Sequence, residues 1–385
     1  MTRVGTFVFT VVACVGCARS FPESANLFAE TPHDPWNEPL SLEWRAALTE
    51  ATPWEYKPIE RGAVALNDSR DRVYVGVRDG TLWCLRALDG REVWRRDMGA
   101  GIGSTPVYHE GTLYVGTNGG DLVALNPETG QVLWRYATKG LVTMAPAITE
   151  DALFFADSRN TVWSLQPFKG TYGWHYNRDV PEGFTVTGYA APRVFGELLV
   201  AGFSDGKLVG MSANDGSVIW EVDLGGGAKF RDVDATPVMA GGRIITASHA
   251  KGVYAVDPHE GTIEWHHAVE GATQAAVKAG RVIFGEAKGG VRALSVDDGR
   301  LLWRTRLVSG APGAPVFVGN LVAVATSRSG WTDTRGSILL INPRTGTILQ
   351  DLSVGLGFNA PLTASGRDLY AVSNGGTVYK FRLNE

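Results

Sequence analysis

The fold is decided by one stretch of sequence, Asn126-Pro127-Glu128-Thr129-Gly130-Gln131-Val132-Leu133-Trp134. Its glycine stands four residues before its tryptophan, and this spacing recurs along the chain. The glycines are Gly90, Gly130, Gly170, Gly216, Gly261, Gly299 and Gly346, and the positions they mark hold Trp94, Trp134, Trp174, Trp220, Trp265, Trp303 and Gln350. The six tryptophans lie 40, 40, 46, 45 and 38 residues apart. Such a period is typical of a repeat protein in which each repeat is one supersecondary unit.

The second repeat shows what that unit is. Residues 113–117 alternate like a half-buried strand, and Asn118-Gly119-Gly120 then predicts a tight turn into a second strand at 121–125. The quoted turn leads into an outer strand at 131–136, and a shorter strand at 105–108 precedes all three. Four antiparallel strands in about 40 residues make one blade of a β-propeller.

Counting the repeats predicts eight blades. The last repeat begins near Phe358 and ends at Glu385 without a Gly-x-x-x-Trp strand, whereas Leu40-Ser41-Leu42-Glu43-Trp44 is a strand-like segment with an extra tryptophan. We predict that this segment completes the eighth blade, since closure of the ring removes exposed sheet edges. The predicted fold class is therefore all-β, an eight-bladed β-propeller of four-stranded antiparallel blades that forms a single domain over residues 40–385.

The tryptophans occur once per blade at one position, which indicates a structural role in docking neighbouring blades. Replacing one should cost on the order of 3–5 kcal/mol, as for other large-to-small core changes. Gln350 stands where a seventh tryptophan would be, and it predicts a looser blade.

The start of the chain predicts export to the cell envelope. Residues 1–17 resemble a lipoprotein-type signal peptide, because Arg3 precedes an apolar run that is too short to span a bilayer. Cys14 and Cys17 each follow a small residue, as a lipidated cysteine does; Cys17 is favoured and Cys14 is the alternative. An ordinary secretory signal is the plainer interpretation. Residues 18–39 are predicted to be a tether, which places the domain at the outer membrane, facing the periplasm.

Composition argues against several functions. The net charge of −4 gives no basic footprint for nucleic acid. Beyond the signal only Cys84 remains, so no internal disulfide is expected, and the seven histidines lack zinc-like spacing. A nucleophile elbow and a phosphate-binding loop are both missing from the sequence. The sequence thus predicts a protein that is not an enzyme, with no metal and no cofactor.

Two segments carry a family resemblance. Residues 124–134 and 255–265 resemble the PQQ-like repeat of quinoprotein propellers, and the similarity extends over residues 60–385. Eight blades in a lipoprotein of this length further resemble the BamB family, the scaffold lipoproteins of the outer-membrane β-barrel assembly machinery. This resemblance implies a protein partner in that machinery.

One further segment resembles the BamB family locally. Residues 230–238 contain Asp232-Val233-Asp234-Ala235-Thr236-Pro237, which is similar to an acidic segment that contacts the barrel-forming partner in that family. The resemblance implies this role for Asp232 and Asp234. A neighbouring family loop uses leucines and an arginine, whereas residues 184–188 here are apolar without an arginine.

Three segments are longer than the repeat requires. They span residues 175–189, 224–234 and 327–336, and strand alternation predicts that all three emerge on one face. Apolar and aromatic residues in such loops favour a binding patch. The predicted partner-binding residues are Phe184, Val186, Tyr189, Phe230, Asp232 and Asp234.

The predicted function is a non-catalytic envelope scaffold that assists assembly of β-barrel proteins into the outer membrane. One alternative is a generic periplasmic or surface module that binds another protein or a glycan. The other is a PQQ-dependent dehydrogenase, which the sequence disfavours because only isolated carboxylates are available for the six to eight oxygen ligands of Ca²⁺. We expect a monomer that contacts the membrane through its lipid anchor.

Overall fold

A computed structural model describes residues 39–49, 58–181, 190–227, 232–329 and 334–384. All regular elements in these ranges are β-strands, arranged as eight separate antiparallel sheets. The prediction of an all-β, eight-bladed propeller is confirmed, and residues 35–385 form one compact unit. The predicted signal peptide, its two cysteines and all but the last residue of the predicted tether lie outside the described residues.

The strands of each blade are counted 1 to 4 from the axis outward. The closing strand β1 is Leu40–Ala47. Blades 1 to 3 consist of β2 (Ala65–Leu66), β3 (Arg72–Gly76), β4 (Thr81–Arg86), β5 (Glu92–Asp97); β6 (Val107–His109), β7 (Thr112–Gly116), β8 (Asp121–Leu125), β9 (Val132–Ala137); β10 (Ala147–Ile148), β11 (Leu153–Asp157), β12 (Thr161–Leu165), β13 (Tyr172–Asn177).

Blades 4 to 6 consist of β14 (Arg193–Phe195), β15 (Leu198–Gly202), β16 (Lys207–Ser212), β17 (Val218–Asp223); β18 (Val238–Ala240), β19 (Arg243–Ser248), β20 (Gly252–Val256), β21 (Ile263–Ala268); β22 (Ala276–Lys278), β23 (Arg281–Glu286), β24 (Gly290–Ser295), β25 (Leu301–Arg306). Blades 7 and 8 consist of β26 (Ala311–Pro312), β27 (Val316–Val318), β28 (Leu321–Ser329), β29 (Thr334–Arg335), β30 (Ser337–Ile341), β31 (Ile348–Ser353); β32 (Thr363–Ser365), β33 (Asp368–Val372), β34 (Thr377–Leu383).

The hydrophobic core lies between neighbouring blades. Strands 2 and 3 are covered on both faces, so β7 is buried at every position, whereas the outer strand β9 alternates between exposed and half-buried residues. A typical cluster joins Tyr74 and Leu82 of blade 1 to Leu113 and Val123 of blade 2. This packing explains why the middle strands are continuous apolar runs.

The predicted ring closure is confirmed. Strand β1 pairs with β34 in antiparallel register from Leu40↔Leu383 to Ala47↔Thr377, which gives the eighth blade its fourth strand. The indole Nε1 of Trp44 then donates to the carbonyl of Ala87 in blade 1 at 3.0 Å. The two ends of the propeller are therefore joined by both a sheet and a side chain.

Each repeated tryptophan reaches from its own blade into the next. The Nε1 atoms donate to backbone carbonyls in the turn between strands 3 and 4 of the following blade, at 2.8–3.2 Å, in the pairs Trp94–Pro127, Trp134–Pro167, Trp174–Ala213, Trp220–Pro258, Trp265–Val296 and Trp303–Pro343. The ring also covers the turn glycine of that blade: a Cβ on Gly130 would lie 2.7 Å from Cε3 of Trp94. The glycine of one Gly-x-x-x-Trp motif thus receives the tryptophan of the preceding repeat.

The sequence predicted a looser blade at Gln350, and the structure shows a specific contact at this side chain. Its side-chain amide is held by two hydrogen bonds to the backbone of Leu40, at 2.8 and 3.0 Å. The eighth blade takes its outer strand from the N-terminal side of the chain, so it has no turn between strands 3 and 4 to receive an indole. A glutamine pairs with the end of the incoming strand instead.

The propeller has two distinct faces. The residue that follows an outer strand donates its N–H to the turn between strands 2 and 3, as in Met98 to Gly80 at 2.9 Å and Leu224 to Gly206 at 2.9 Å. We call the side formed by these turns and by the blade-joining segments the loop face. The opposite side is the turn face. It is formed by the turns between strands 1 and 2 and between strands 3 and 4 of each blade, called the 1–2 and 3–4 turns. The described ends of all three long segments lie on the loop face.

Candidate functional site

The first two long segments are attached to the same turn, residues 203–207 of blade 4. Arg178, at the start of the first segment, donates from Nε to Oδ2 of Asp205 at 2.8 Å. The second segment begins with a bond from Leu224 N to Gly206 O at 2.9 Å and returns with one from Val233 N to Phe203 O at 3.1 Å. The bases of the two segments are therefore neighbours on the loop face.

Arg178 holds the base of the first segment through several side-chain contacts. It donates to Oε2 of Glu221 at 2.6 Å and to the hydroxyl of Tyr176 at 2.9 Å, and it lies over the ring of Phe203 at 5.7 Å. Burial lowers the pKa of Arg178, but its bonds to Asp205, Tyr176 and Glu221 more than offset this and hold the pKa above its ordinary value. The guanidinium stays charged and fixes the angle at which the segment leaves blade 3.

The second segment is fixed at both ends. Near its start, Oδ1 of Asp223 accepts from the N–H groups of Gly225 and Gly226, both at 2.9 Å, and Tyr254 donates to the carbonyl of Leu224 at 3.0 Å. Near its end, His249 N donates to the carbonyl of Asp232 at 3.1 Å. The base of this segment is thus part of the rigid ring.

Of the predicted partner-binding residues, Asp232 and Asp234 are described, and they differ in exposure. Asp232 is only 1% exposed, and its role in partner binding stays a prediction. The side chain of Asp234 is 14% exposed, and its Oδ2 lies 4.0 Å from Nδ1 of His249. Phe184, Val186, Tyr189 and Phe230 lie outside the described residues, so their assignment stays a prediction.

The third long segment begins as an extension of a β-hairpin. Strand β28 continues to Ser329 and pairs with β29 through Arg328↔Arg335 and Ser329↔Thr334, while β26 pairs with its other edge. Loop length alone predicted an insertion here, but the continued strand pairing was not foreseen. Strand pairing thus joins the two described ends of this segment on the loop face.

A buried ion pair joins blades 8 and 1 on the same face. The fully buried carboxylate of Glu60 accepts from the guanidinium of Arg78 and, at 2.9 Å, from its backbone N–H. The N–H of Glu60 donates to Asn374 Oδ1 at 3.3 Å, and Asn374 donates to Asn359 at 2.7 Å. Burial raises the pKa of Glu60 to about 7, although the bonds from Arg78 act to lower it. Sequence analysis missed this pair because a lone glutamate before a strand carries no signal.

Exposed apolar side chains also occur on the loop face. Leu141 is 46% exposed, Val180 is 50% exposed, and Val308 and Leu356 are exposed as well. Each stands in a segment that joins two blades, so the supporting strands hold it in place. Apolar residues presented in this way are typical of protein-binding surfaces.

The comparisons with known proteins identify the family. Residues 78–287 and 287–385 match the family described as outer membrane protein assembly factor BamB. The chain belongs to the BamB family. This confirms the resemblance carried by the Gly-x-x-x-Trp repeats.

Individual BamB proteins and other propellers show the degree of likeness. BamB of Yersinia pestis is 28% identical over 215 residues, 53% of this chain and 52% of the relative, so the match spans about half of that protein's length. BamB from Moraxella catarrhalis has a TM-score of 0.74 at 21% identity, covering 89% of this chain and 99% of the other. The quinohemoprotein alcohol dehydrogenase of Comamonas testosteroni has a TM-score of 0.71 at 13% identity, covering 90% and 76%. The two structural matches show a shared propeller fold.

One buried carboxylate of this BamB-family chain is held entirely by arginines. Glu286 is 1% exposed and accepts from Arg292 at 2.6 Å and from Arg304 at 2.8 Å. Within the described ranges, no group of three or more histidine, cysteine, aspartate or glutamate side chains is placed to hold a metal ion. The same ranges contain no helix with the length and hydropathy that a membrane span requires.

Proposed function

We propose that this protein is a non-catalytic scaffold of the bacterial cell envelope that assists assembly of β-barrel proteins into the outer membrane. The observation that carries the proposal is the attachment of two long segments to one turn of a rigid ring, in a chain of the BamB family. A scaffold needs loops whose bases do not move, since each immobilised loop then costs less conformational entropy on binding.

The loop face would dock on a periplasmic domain of a barrel-forming partner. Leu141 and Val180 stand in adjacent blade-joining segments and would supply apolar contact area. The part-exposed carboxylate of Asp234 would contribute orientation more than affinity. Phe184, Val186, Tyr189 and Phe230, in the same two segments, complete the proposed patch.

The proposed location is the periplasmic side of the outer membrane, with a monomer anchored through lipid on Cys17, or on Cys14. Metabolic labelling with a palmitate analogue tests the anchor. Labelling should survive in one of the variants Cys14→Ser and Cys17→Ser and disappear in the other. Equal labelling of both single variants would contradict a single lipidated cysteine.

Affinity capture from detergent-solubilised envelopes tests the docking face. We expect the wild type to recover the barrel-forming protein of the outer-membrane assembly machinery, and Leu141→Glu/Val180→Glu to recover at least tenfold less. The matched control is Leu88→Glu/Phe168→Glu, which places the same charges on exposed apolar residues of the turn face. Equal loss in both double variants would contradict docking through the loop face, and recovery of no barrel protein by the wild type would overturn the proposed function.

A further inference from the structure

A cleft on the turn face, between blades 6 and 7, is lined by basic side chains and by no acidic ones among the described residues. Its volume is about 410 Å³, and its charged and amide side chains are Lys278, Arg281, Asn320, Asn342 and Arg344. None of the described residues that line it is an aspartate or a glutamate. This local excess of positive charge stands in a chain whose net charge is −4.

The repeats provide an internal comparison, because two other blades begin strand 2 with an arginine. Arg72 in blade 1 pairs with Asp71 at 2.8 Å and lies 3.9 Å from Glu128 in the turn of blade 2. Arg243 in blade 5 pairs with Glu264 and lies 3.9 Å from Asp297 in the turn of blade 6. In both places the arginine is neutralised by acids, one of them from the next blade.

Arg281 occupies the same position in blade 6, but both of its acids are replaced. Glu264 precedes Trp265, and the residue that precedes Trp303 is Leu302. Asp297 follows the carbonyl of Val296 that accepts from Trp265. The equivalent carbonyl, which accepts from Trp303, belongs to Pro343, and it is followed by Arg344. A cation therefore stands where blades 2 and 6 provide a carboxylate.

Backbone carbonyls hold two of the basic side chains of this cleft in position. The Nε atom of Arg281 is buried without a hydrogen-bond partner, while its guanidinium donates to the carbonyl of Ala279 at 3.0 Å. Lys278 donates to the carbonyl of Gly319 at 2.7 Å and lies 5.4 Å from the centre of the Phe317 ring. The Nε atom of Arg72 in blade 1 is likewise buried without a partner, so the missing acids, and not this atom, distinguish the cleft.

We propose that the cleft between blades 6 and 7 binds a phosphate group, held by Arg281, Arg344 and Lys278. Arginine forks match the oxygens of phosphate in two-point hydrogen bonds, and lysine adds a compact charge. The amides of Asn320 and Asn342 provide further donors at the rim. The site lies on the face opposite to the proposed docking surface. An experiment that disproves one of the two proposals therefore leaves the other standing.

The first experiment titrates inorganic phosphate into the full chain by calorimetry at low chloride. The wild type should show one saturable site, and Arg344→Glu, which introduces the acid found at this position in blades 2 and 6, should weaken binding at least tenfold. Arg344→Gln should weaken it less. The control Arg91→Glu makes the same charge change in the 3–4 turn of blade 1 and should bind as the wild type does. Equal binding by wild type and Arg344→Glu, or equal loss in the control, would overturn the assignment.

A gain-of-function variant provides the converse test. Ala240→Lys/Glu264→Leu/Asp297→Arg gives the junction of blades 5 and 6 the counterparts of Lys278, Leu302 and Arg344, and it should add a second phosphate site. If the stoichiometry remains at one, the residues named do not suffice to build the site, and the comparison between blades that carries the proposal is wrong.

Flotation with vesicles distinguishes the source of the phosphate group. All proteins carry Cys14→Ser and Cys17→Ser, so that acylation does not attach them to lipid. Recruitment to vesicles of phosphatidylglycerol in phosphatidylcholine, lost with Arg344→Glu, would identify a phospholipid headgroup as the ligand. Phosphate binding without recruitment would identify a free phosphate compound. If the protein neither binds phosphate nor is recruited to the vesicles, the proposal is overturned.

Discussion

Gln350 and Leu40 exchange two hydrogen bonds although they are 310 residues apart. Leu40 N donates to Oε1 of Gln350 at 2.8 Å, and Nε2 of Gln350 donates to the carbonyl of Leu40 at 3.0 Å. All seven other blades hold a tryptophan at this position, with Trp44 in the eighth blade, and each reaches a turn in the next blade. Gln350 faces blade 8, whose outer strand β1 comes from the N-terminal part of the chain. Blade 8 therefore has no turn between strands 3 and 4, and the side chain of Gln350 bonds to the first residue of β1 instead.

Restoring the repeat residue at this position should therefore destabilise the protein. We expect Gln350→Trp to lower the free energy of unfolding by about 1–3 kcal/mol, because the N–H and C=O of Leu40 lose their partners and the indole finds no turn carbonyl. Urea unfolding, with Gln350→Ala as the comparison, measures this. A tryptophan variant more stable than wild type would show that the incoming strand can receive an indole after all.

The turn glycines should be sensitive to substitution for two separable reasons. Gly130 has φ +68° and would place a Cβ 2.7 Å from Trp94, whereas Gly99 has φ +82° with open space around it. Gly99→Ala should lower the free energy of unfolding by about 1–2 kcal/mol, because alanine is strained in a left-handed backbone conformation. Gly130→Ala should cost about 1–3 kcal/mol more, because the indole must move. If thermal or urea unfolding shows the same loss of stability for both variants, the indole of Trp94 moves aside without cost.

Glu60 should make stability depend on pH. Its folded pKa of about 7 lies above the ordinary value of 4.5, so the folded state takes up a proton that the unfolded state binds only at lower pH. Stability from this group should therefore rise as pH falls from 7 to 4.5. One unit of pKa corresponds to about 1.4 kcal/mol, so the full effect is on the order of 3 kcal/mol.

The comparison of wild type with Glu60→Gln at pH 5.0, 6.0 and 7.5 isolates this effect. The difference in unfolding free energy between the two proteins should shift in favour of the wild type as pH falls. A constant difference across the three values would mean that Glu60 keeps the same charge throughout the range.

Asp232 and Asp234 should behave differently when truncated. Asp232→Ala should lower the free energy of unfolding by about 1–3 kcal/mol, since the carboxylate is buried. Asp234→Ala should cost less and should act mainly on partner capture, because its side chain keeps solvent contact. Measuring unfolding and capture for both variants separates the roles. If Asp232→Ala lost capture at unchanged stability, its assignment to the interior would be wrong.

Much of the fold could be predicted from local patterns, and less of the site. The turn before each outer strand and the strand-like segment ending in Trp44 indicated eight blades and their closure. Excess length located the three long segments. The burial of Asp232 could not be predicted, because it depends on how the returning segment lies under the turn at residues 203–207.

The sequence by itself determined the blades, because the turns and strands of a blade form between residues close together in the chain, where φ preferences and alternating hydrophobicity suffice. Only the tertiary structure decided which blades meet and what each junction contains. Glu60 with Asn374, Gln350 with Leu40, and Arg281 beside Arg344 are contacts between separate repeats. Their chemistry depends on the register of one blade against the next, which is set by packing across the whole ring.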